Sequence, residues 1–294
     1  MKIVQQTIAS VGSPIWIEPL DRPYGSAAVI ARWRHVNGRV RIATADAIRV
    51  CLSLSAGQLV RHAERDRDLS KHVLAGDVVV LRPGIPTETT IEGDAELVQV
   101  FIEPESLGHV TSNTVTETRV EPTSGALKRA AIQLFVAARH DDQRSRRVAE
   151  VRLREVVGDL LAAPVEGERE EARGGLPPMA IGRAEHLISE AMDRSTSASP
   201  TLSELAATAR VSTNHFIRSF RQVRGTTPHQ LVMARRCQRA MDLLRQPNLT
   251  VADVSDAAGY SSPAYFISSF RQQLGVTPGA YQRAVARKGD FSIP

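Results

Sequence analysis

Cysteine is scarce: Cys51 and Cys237 are the only two in 294 residues. They lie far apart in sequence and in no metal-ligand spacing, which argues against a disulfide framework and leaves two reduced thiols. Long apolar runs are missing as well. No segment approaches the roughly 18 residues of a spanning helix, and the opening MKIVQQTIASVGSPIW holds no uninterrupted apolar stretch of the secretory kind. A cytoplasmic protein with no membrane partner is therefore expected. The chain also lacks an H-x-H pair, a nucleophile motif and a phosphate-binding Gly-rich loop, so neither a catalytic residue nor a cofactor nor a metal site is expected. What is present is an ordinary globular balance, 42% apolar and 23% charged, at a length that suits two domains.

The net charge of +5 is unevenly spread. From Met179 onward there are 14 Lys and Arg against 8 Asp and Glu, whereas the preceding part holds 23 against 24. All the excess positive charge sits in the C-terminal part, as in a polyanion-binding module joined to a module with another task.

The hydrophobic period changes along the chain. Within 1–120, Ile48, Val50, Leu52 and Leu54 alternate with Arg49, Cys51, Ser53 and Ser55, the pattern of a half-buried strand. Further short runs, VVVL after Gly76-Asp77 and ELVQVFIEP after Glu92-Gly93-Asp94, argue for a β-rich sandwich or small barrel. In 121–163 apolar residues recur at helical spacing, from Leu127 to Ala138 and from Ala149 to Leu161, which predicts a helical hairpin. Charged, Gly/Pro-rich text over 164–178 predicts a flexible linker. The remainder, 179–287, is helical. The fold class is α+β in two domains.

The helical part writes one unit twice. RSFRQVRGTTPHQLVM and SSFRQQLGVTPGAYQR stand at an offset of 50, while the text before the preceding turns aligns at 49, so the second turn has gained one residue. Each copy opens with a cap, Thr201 with Glu204 and Thr250 with Asp253. A short helix, a tight turn and a second helix follow, and Thr227-Pro228 and Thr277-Pro278 begin the next helices. This is the helix-turn-helix plan. A helix from Pro228 to about Gln246 joins the copies, about 28 Å at about 1.5 Å per residue, long enough to present two reading helices to successive major grooves.

The two second helices share an inward face: Phe216, Phe220 and Val223 in one, Phe266, Phe270 and Leu274 in the other. The opposite faces differ. The first carries Thr213, Asn214, Ile217 and Arg218, where Arg can fork onto guanine and Asn onto adenine in the major groove. Its counterpart carries Ala264, Ile267 and Ser268, without either bidentate donor. Arg221, Ser262 and Arg271 are expected on phosphates.

These residues carry a resemblance. LAATARVSTNHFIRSFRQVRGTTPHQLV and VSDAAGYSSPAYFISSFRQQLGVTPGAYQR resemble the DNA-binding domain of the AraC/XylS family of bacterial transcription regulators, the second copy most closely. Arg210, in place of the usual small turn residue, and Phe216, at a position commonly Leu, depart from its pattern. The resemblance implies sequence-specific regulation, activation more than repression, RNA polymerase as a partner, and a cupin-like N-terminal domain for an effector, a second chain or both. Metal-binding cupins need clustered histidines, whereas His35, His62, His72 and His109 are scattered and the segment directly after Pro83-Gly84, IPTETT, holds no His. Trp16, Trp33 and Tyr24 are equally readable as pocket or as core, and no effector residue is assigned. Two other readings stand beside this one: a cupin-type metal enzyme with a DNA-targeting tail, and an effector-independent DNA-binding protein.

Overall fold

β-Branched and aromatic residues in AVIARWRH, IRVCLS, VVVL and AELVQVFI favour extended backbone, and they form the centre of the first sheet. The computed structural model describes residues 14–20, 28–35, 38–42, 47–55, 58–64, 67–81, 83, 87–92, 95–107, 119–121, 125–140, 142–162, 178–193, 200–224 and 226–287. Packing groups Met1–Pro164 with Phe270–Pro294 as one unit and Val165–Ser269 as another.

In the first unit the strands are β1 (Trp16–Leu20), β2 (Ala28–His35), β3 (Gly38–Ile42), β4 (Ile48–Ser53), β5 (Gln58–Glu64), β6 (Arg67–Val73), β7 (Val78–Leu81), β8 (Thr87–Glu92), β9 (Ala95–Ile102) and β10 (Arg119–Glu121). They pair antiparallel in two sheets, ordered β1-β2-β9-β4-β7-β10 and β3-β8-β5-β6. Among the described residues neither sheet closes on itself, so the expected cupin-like barrel is not confirmed. β4 also departs from expectation. Arg49, Ser53 and Ser55 are buried along with Ile48, Val50, Leu52 and Leu54, so this strand is covered on both faces and not half-solvated. Burial drives the Arg49 guanidinium pKa down and the Cys51 thiol pKa up. Trp33 is fully buried edge-on to Phe101, 5.9 Å between centroids, and therefore belongs to the core.

A helical hairpin, α1 (Gly125–Ala138) and α2 (Gln143–Ala162), follows, and α1 packs on β4 and β7. α1 is apolar around most of its circumference, with Ile132, Leu134 and Phe135 fully buried, the composition of a helix covered on several sides. The last helix, α9 (Pro278–Ala286), belongs to this unit by packing although its text continues the duplicated segment. Tyr281 meets Phe135 at 6.4 Å between centroids. Arg32, whose Nε donates to Glu96 Oε1 at 2.6 Å, donates from Nη1 to Val285 O at 2.8 Å. Arg139 Nη2 donates to Arg287 O at 2.5 Å, and Arg287 Nη1 returns a bond to Arg139 O at 2.6 Å. The orphan carbonyls at the negative end of α9 thus receive two cations. Burial, with Arg287 nearby, lowers the Arg139 pKa to about 10.

The second unit is helical: α3 (Pro178–Asp193), α4 (Leu202–Thr208), α5 (Thr213–Arg224), α6 (Pro228–Leu243), α7 (Val251–Ala257) and the first half of α8 (Pro263–Leu274). One core joins α3, α4, α5 and α6 through Ile181, Ile188, Leu205, Phe216, Phe220 and Val232. α6 is capped by Thr227 with Gln230 and has Pro228 in its first turn. At 16 residues it spans about 24 Å, shorter than its text suggested. Tighter bonds from Arg245 N to Asp242 O (3.2 Å) and from Gln246 N to Leu243 O (3.0 Å) turn the chain before Gln246.

Candidate nucleic-acid interface

Both copies are assembled by the same local devices. At the start of α4, Glu204 N donates to Thr201 Oγ1 (3.2 Å) and Thr201 N donates to Glu204 Oε2 (2.6 Å). At the start of α7, Asp253 N donates to Thr250 Oγ1 (3.2 Å) and Thr250 N to Asp253 Oδ2 (2.8 Å). These bonds favour the charged carboxylates. The Thr201 amide holds Glu204 below the usual carboxylate pKa, and the Thr250 hydroxyl does the same for Asp253.

The turns also share one geometry. In the first copy Arg210 N donates to Ala207 O (3.1 Å) and Val211 N to Ala206 O (3.3 Å); in the second Gly259 N donates to Asp256 O (3.0 Å) and Tyr260 N to Ser255 O (3.0 Å). This double closure is the Schellman motif, which needs a left-handed residue just past the helix. Gly259 supplies it with φ +79° and Arg210 with φ +55°. A side chain in that conformation costs about 1–2 kcal/mol relative to glycine. The extra residue of the second copy falls between this position and α8, and there the chain turns through Tyr260, Ser261 and Ser262.

Beyond the turns α5 and α8 sort their residues as the sequence indicated. Phe216, Phe220, Phe266, Phe270 and Leu274 are buried, whereas the side chain of Val223 lies outside the described residues. On the first reading face Asn214 and Arg218 are exposed and Thr213 and Ile217 half-buried, with Arg221 exposed one turn on. Among the described residues the side chains of Asn214, Arg218 and Arg221 form no hydrogen bond or ion pair, so their donors stand open to a ligand. On the second face Ala264, Ile267, Ser268 and Arg271 are exposed and Ser262 half-buried. Ser262 Oγ caps α8 by accepting from Tyr265 N at 3.2 Å, and Ser268 Oγ donates back to Tyr265 O at 3.0 Å. Two of the second copy's polar side chains are therefore partly engaged by their own helix.

Three exposed residues were not singled out as contacts by sequence reasoning: Arg210, His215 and Tyr265. Tyr265 occupies the place of His215 in the second copy and rests on Tyr260 with ring centroids 6.0 Å apart. Burial raises the Tyr260 phenol pKa. The segment that carries the first face has formal side-chain charge of one sign, because Leu205 to Met241 contains no Asp or Glu. Among the described residues no three His, Cys, Asp or Glu side chains gather as metal ligands, and no helix is long and apolar enough to cross a membrane. The side chains of His35, His62, His72 and His109, and Tyr24, lie outside the described residues.

A family model described as a helix-turn-helix domain matches residues 205–284. Residues 205–284 therefore form a helix-turn-helix domain. Sequence relatives include the HTH-type transcriptional regulator GlxA of Rhizobium meliloti (strain 1021), 31% identical over 152 residues, 51% of this chain and 44% of that protein. The RCS-specific HTH-type transcriptional activator RclR of Escherichia coli (strain K12) is 34% identical over 85 residues, 29% of this chain and 30% of its own length. Among solved structures, the DNA-binding domain of the global transcriptional factor AdpA in complex with a target DNA is 31% identical, covering 34% of this chain and 90% of that one, with a TM-score of 0.31. The chain spans less than half the length of the curated relatives that it matches first.

Proposed function

We propose that the chain is a sequence-specific DNA-binding transcription regulator whose AraC-type domain places α5 and α8 in successive major grooves. The observation that carries this reading is the pair of copies with one frame and two different exposed faces: Asn214 and Arg218 on α5, Ala264 and Ser268 on α8. α5 supplies most direct base discrimination through Arg218 and Asn214, with Thr213 and Ile217 beside them. α8 adds apolar contacts through Ala264 and Ile267 and a lesser contact from Ser268. Arg221, Arg271 and the capping Ser262 hold phosphates.

The β-rich unit, cupin-like in its resemblance, serves as the sensory or chain-pairing part, and a small molecule acts by its differential affinity for two arrangements of the chain. The name of RclR supports activation, with RNA polymerase as the partner that the family resemblance implies. We assign no catalytic residue.

Selecting bound fragments from the source genome, then measuring affinity for a selected and a scrambled site, tests the reading. Arg218→Ala lowers discrimination by about 1–3 kcal/mol, roughly 5- to 150-fold, while Ser268→Ala changes it little. Equal loss on both DNAs for Arg218→Ala, or a larger loss of discrimination for Ser268→Ala, refutes the division of labour. Stoichiometric iron or manganese in the purified protein would favour the enzyme reading instead.

A further inference from the structure

The two Schellman turns pose a problem that the fold does not answer. Their left-handed positions are equivalent at an offset of 49, yet one holds Gly259 and the other Arg210. Glycine suits this conformation and arginine does not. The Arg210 side chain gives nothing back to the fold: it is exposed, and among the described residues it makes no hydrogen bond or ion pair. Nor does neighbouring sequence supply a carboxylate, since the next acidic residue after Glu204 is Asp242.

What the position does have is proximity to the reading helix. Arg210 stands three residues before Thr213, where α5 begins, and shares with Ser212, Asn214 and His215 an exposed approach to that helix end. When the N-terminal residues of such a helix contact base edges, the turn before it lies beside the phosphates at the groove wall.

We propose that Arg210 is a DNA-phosphate anchor of the first helix-turn-helix unit, retained against the conformational preference of its own turn. The proposal rests on the DNA-binding reading above and adds a contact that this reading does not contain. A guanidinium there neutralises one phosphate, fixes the register of α5 and carries no base preference of its own. The second copy keeps the conformationally easier glycine and leaves anchoring to Ser262 and Arg271.

Arg210→Gly, Arg210→Ala and Arg210→Lys in the full chain test this through melting temperature and through DNA titrations at several salt concentrations, on a selected and a scrambled site. Arg210→Gly is expected to raise the melting temperature by about 2–4 °C. It lowers affinity for both DNAs by the same factor, on the order of tenfold at low salt, and reduces the slope of log affinity against log salt by about 0.9. Arg210→Ala lowers affinity and slope equally but gives less of the thermal gain, because it removes the charge and keeps a Cβ in the left-handed conformation. Arg210→Lys restores the slope.

A stabilised Arg210→Gly variant with the affinity and slope of the parent overturns the proposal while leaving the DNA-binding reading intact. Loss confined to the selected site would make Arg210 a base reader and also overturns it. A parent protein with no salt-dependent DNA binding removes both.

Discussion

Gly275 ends α8 with φ +76°, and a Cβ built on it falls inside contact distance of Gln133 Nε2 and 2.9 Å from Gln133 Cδ. Gly259 has nearly the same φ, +79°, but a Cβ there would meet the Arg236 guanidinium no closer than 3.5 Å, at Nε, an ordinary contact. The pair separates conformational strain from steric conflict. Gly259→Ala carries the left-handed penalty alone, about 1–2 kcal/mol. Gly275→Ala carries the same penalty and must also swing the Gln133 side chain away, losing the bond that Gln133 Nε2 donates to Gly275 O at 3.4 Å. That loss and the displaced packing add about 1 kcal/mol, giving about 2–3 kcal/mol in all. Urea unfolding of both variants, each with and without Gln133→Ala, reads the difference. In the Gln133→Ala background Gly275→Ala should fall to the cost of Gly259→Ala, a coupling of about 1 kcal/mol. Equal costs in the parent background, or no coupling, would refute the reasoning.

Other expectations follow from buried or capping groups. Thr201→Ala and Thr250→Ala should each destabilise by about 1 kcal/mol, and because each acts on its own helix end their effects should add. The Glu204 and Asp253 carboxyls are held below their ordinary range, so their contribution is complete above that range and is lost as pH falls through the folded-state values. The Thr201 and Thr250 amide proton shifts, followed by NMR, should titrate with midpoints below about 4.3 and 3.9, respectively; midpoints at or above these values would contradict the capping boxes. Phe216→Ala removes a fully buried ring from the core of α3–α6 and should cost about 3–5 kcal/mol in chemical unfolding, whereas Tyr265→Ala, at a position 43% exposed, should cost less. Glu96→Ala strands the buried Arg32 cation and should cost about 3 kcal/mol, measurable by the same unfolding curves.

The parts of the site that read clearly from sequence are those specified by nearby residues. Thr201 with Glu204 and Thr250 with Asp253 are complete signatures within four positions, and the Phe-x-x-x-Phe spacing defines the buried side of α5 and α8 without reference to the rest of the chain. Arg210 was harder, because nothing in an arginine announces a left-handed backbone; only its alignment with Gly259 does. The burial of Arg49, Ser53 and Ser55 was hidden for another reason. Alternation reports which residues share a face of β4 and says nothing about what covers the second face. The packing of α9 was also beyond reach: Tyr281 meets Phe135 and Arg287 meets Arg139, partners almost 150 residues away that no local period can indicate. The reach of α6 was overestimated because Leu244, Arg245 and Gln246 are ordinary helix formers, although the backbone has already closed into a tighter turn there.

Joining two unequal copies head to tail through α6 gives the molecule a polarity that a dyad lacks. A symmetric pair of readers meets an inverted site unchanged, whereas on the DNA-binding reading proposed above α5 and α8 would distinguish the two senses of any element that both contact. Such an element has a front and a back. On that reading, orientation on the chromosome becomes information that two unequal copies in one chain can read.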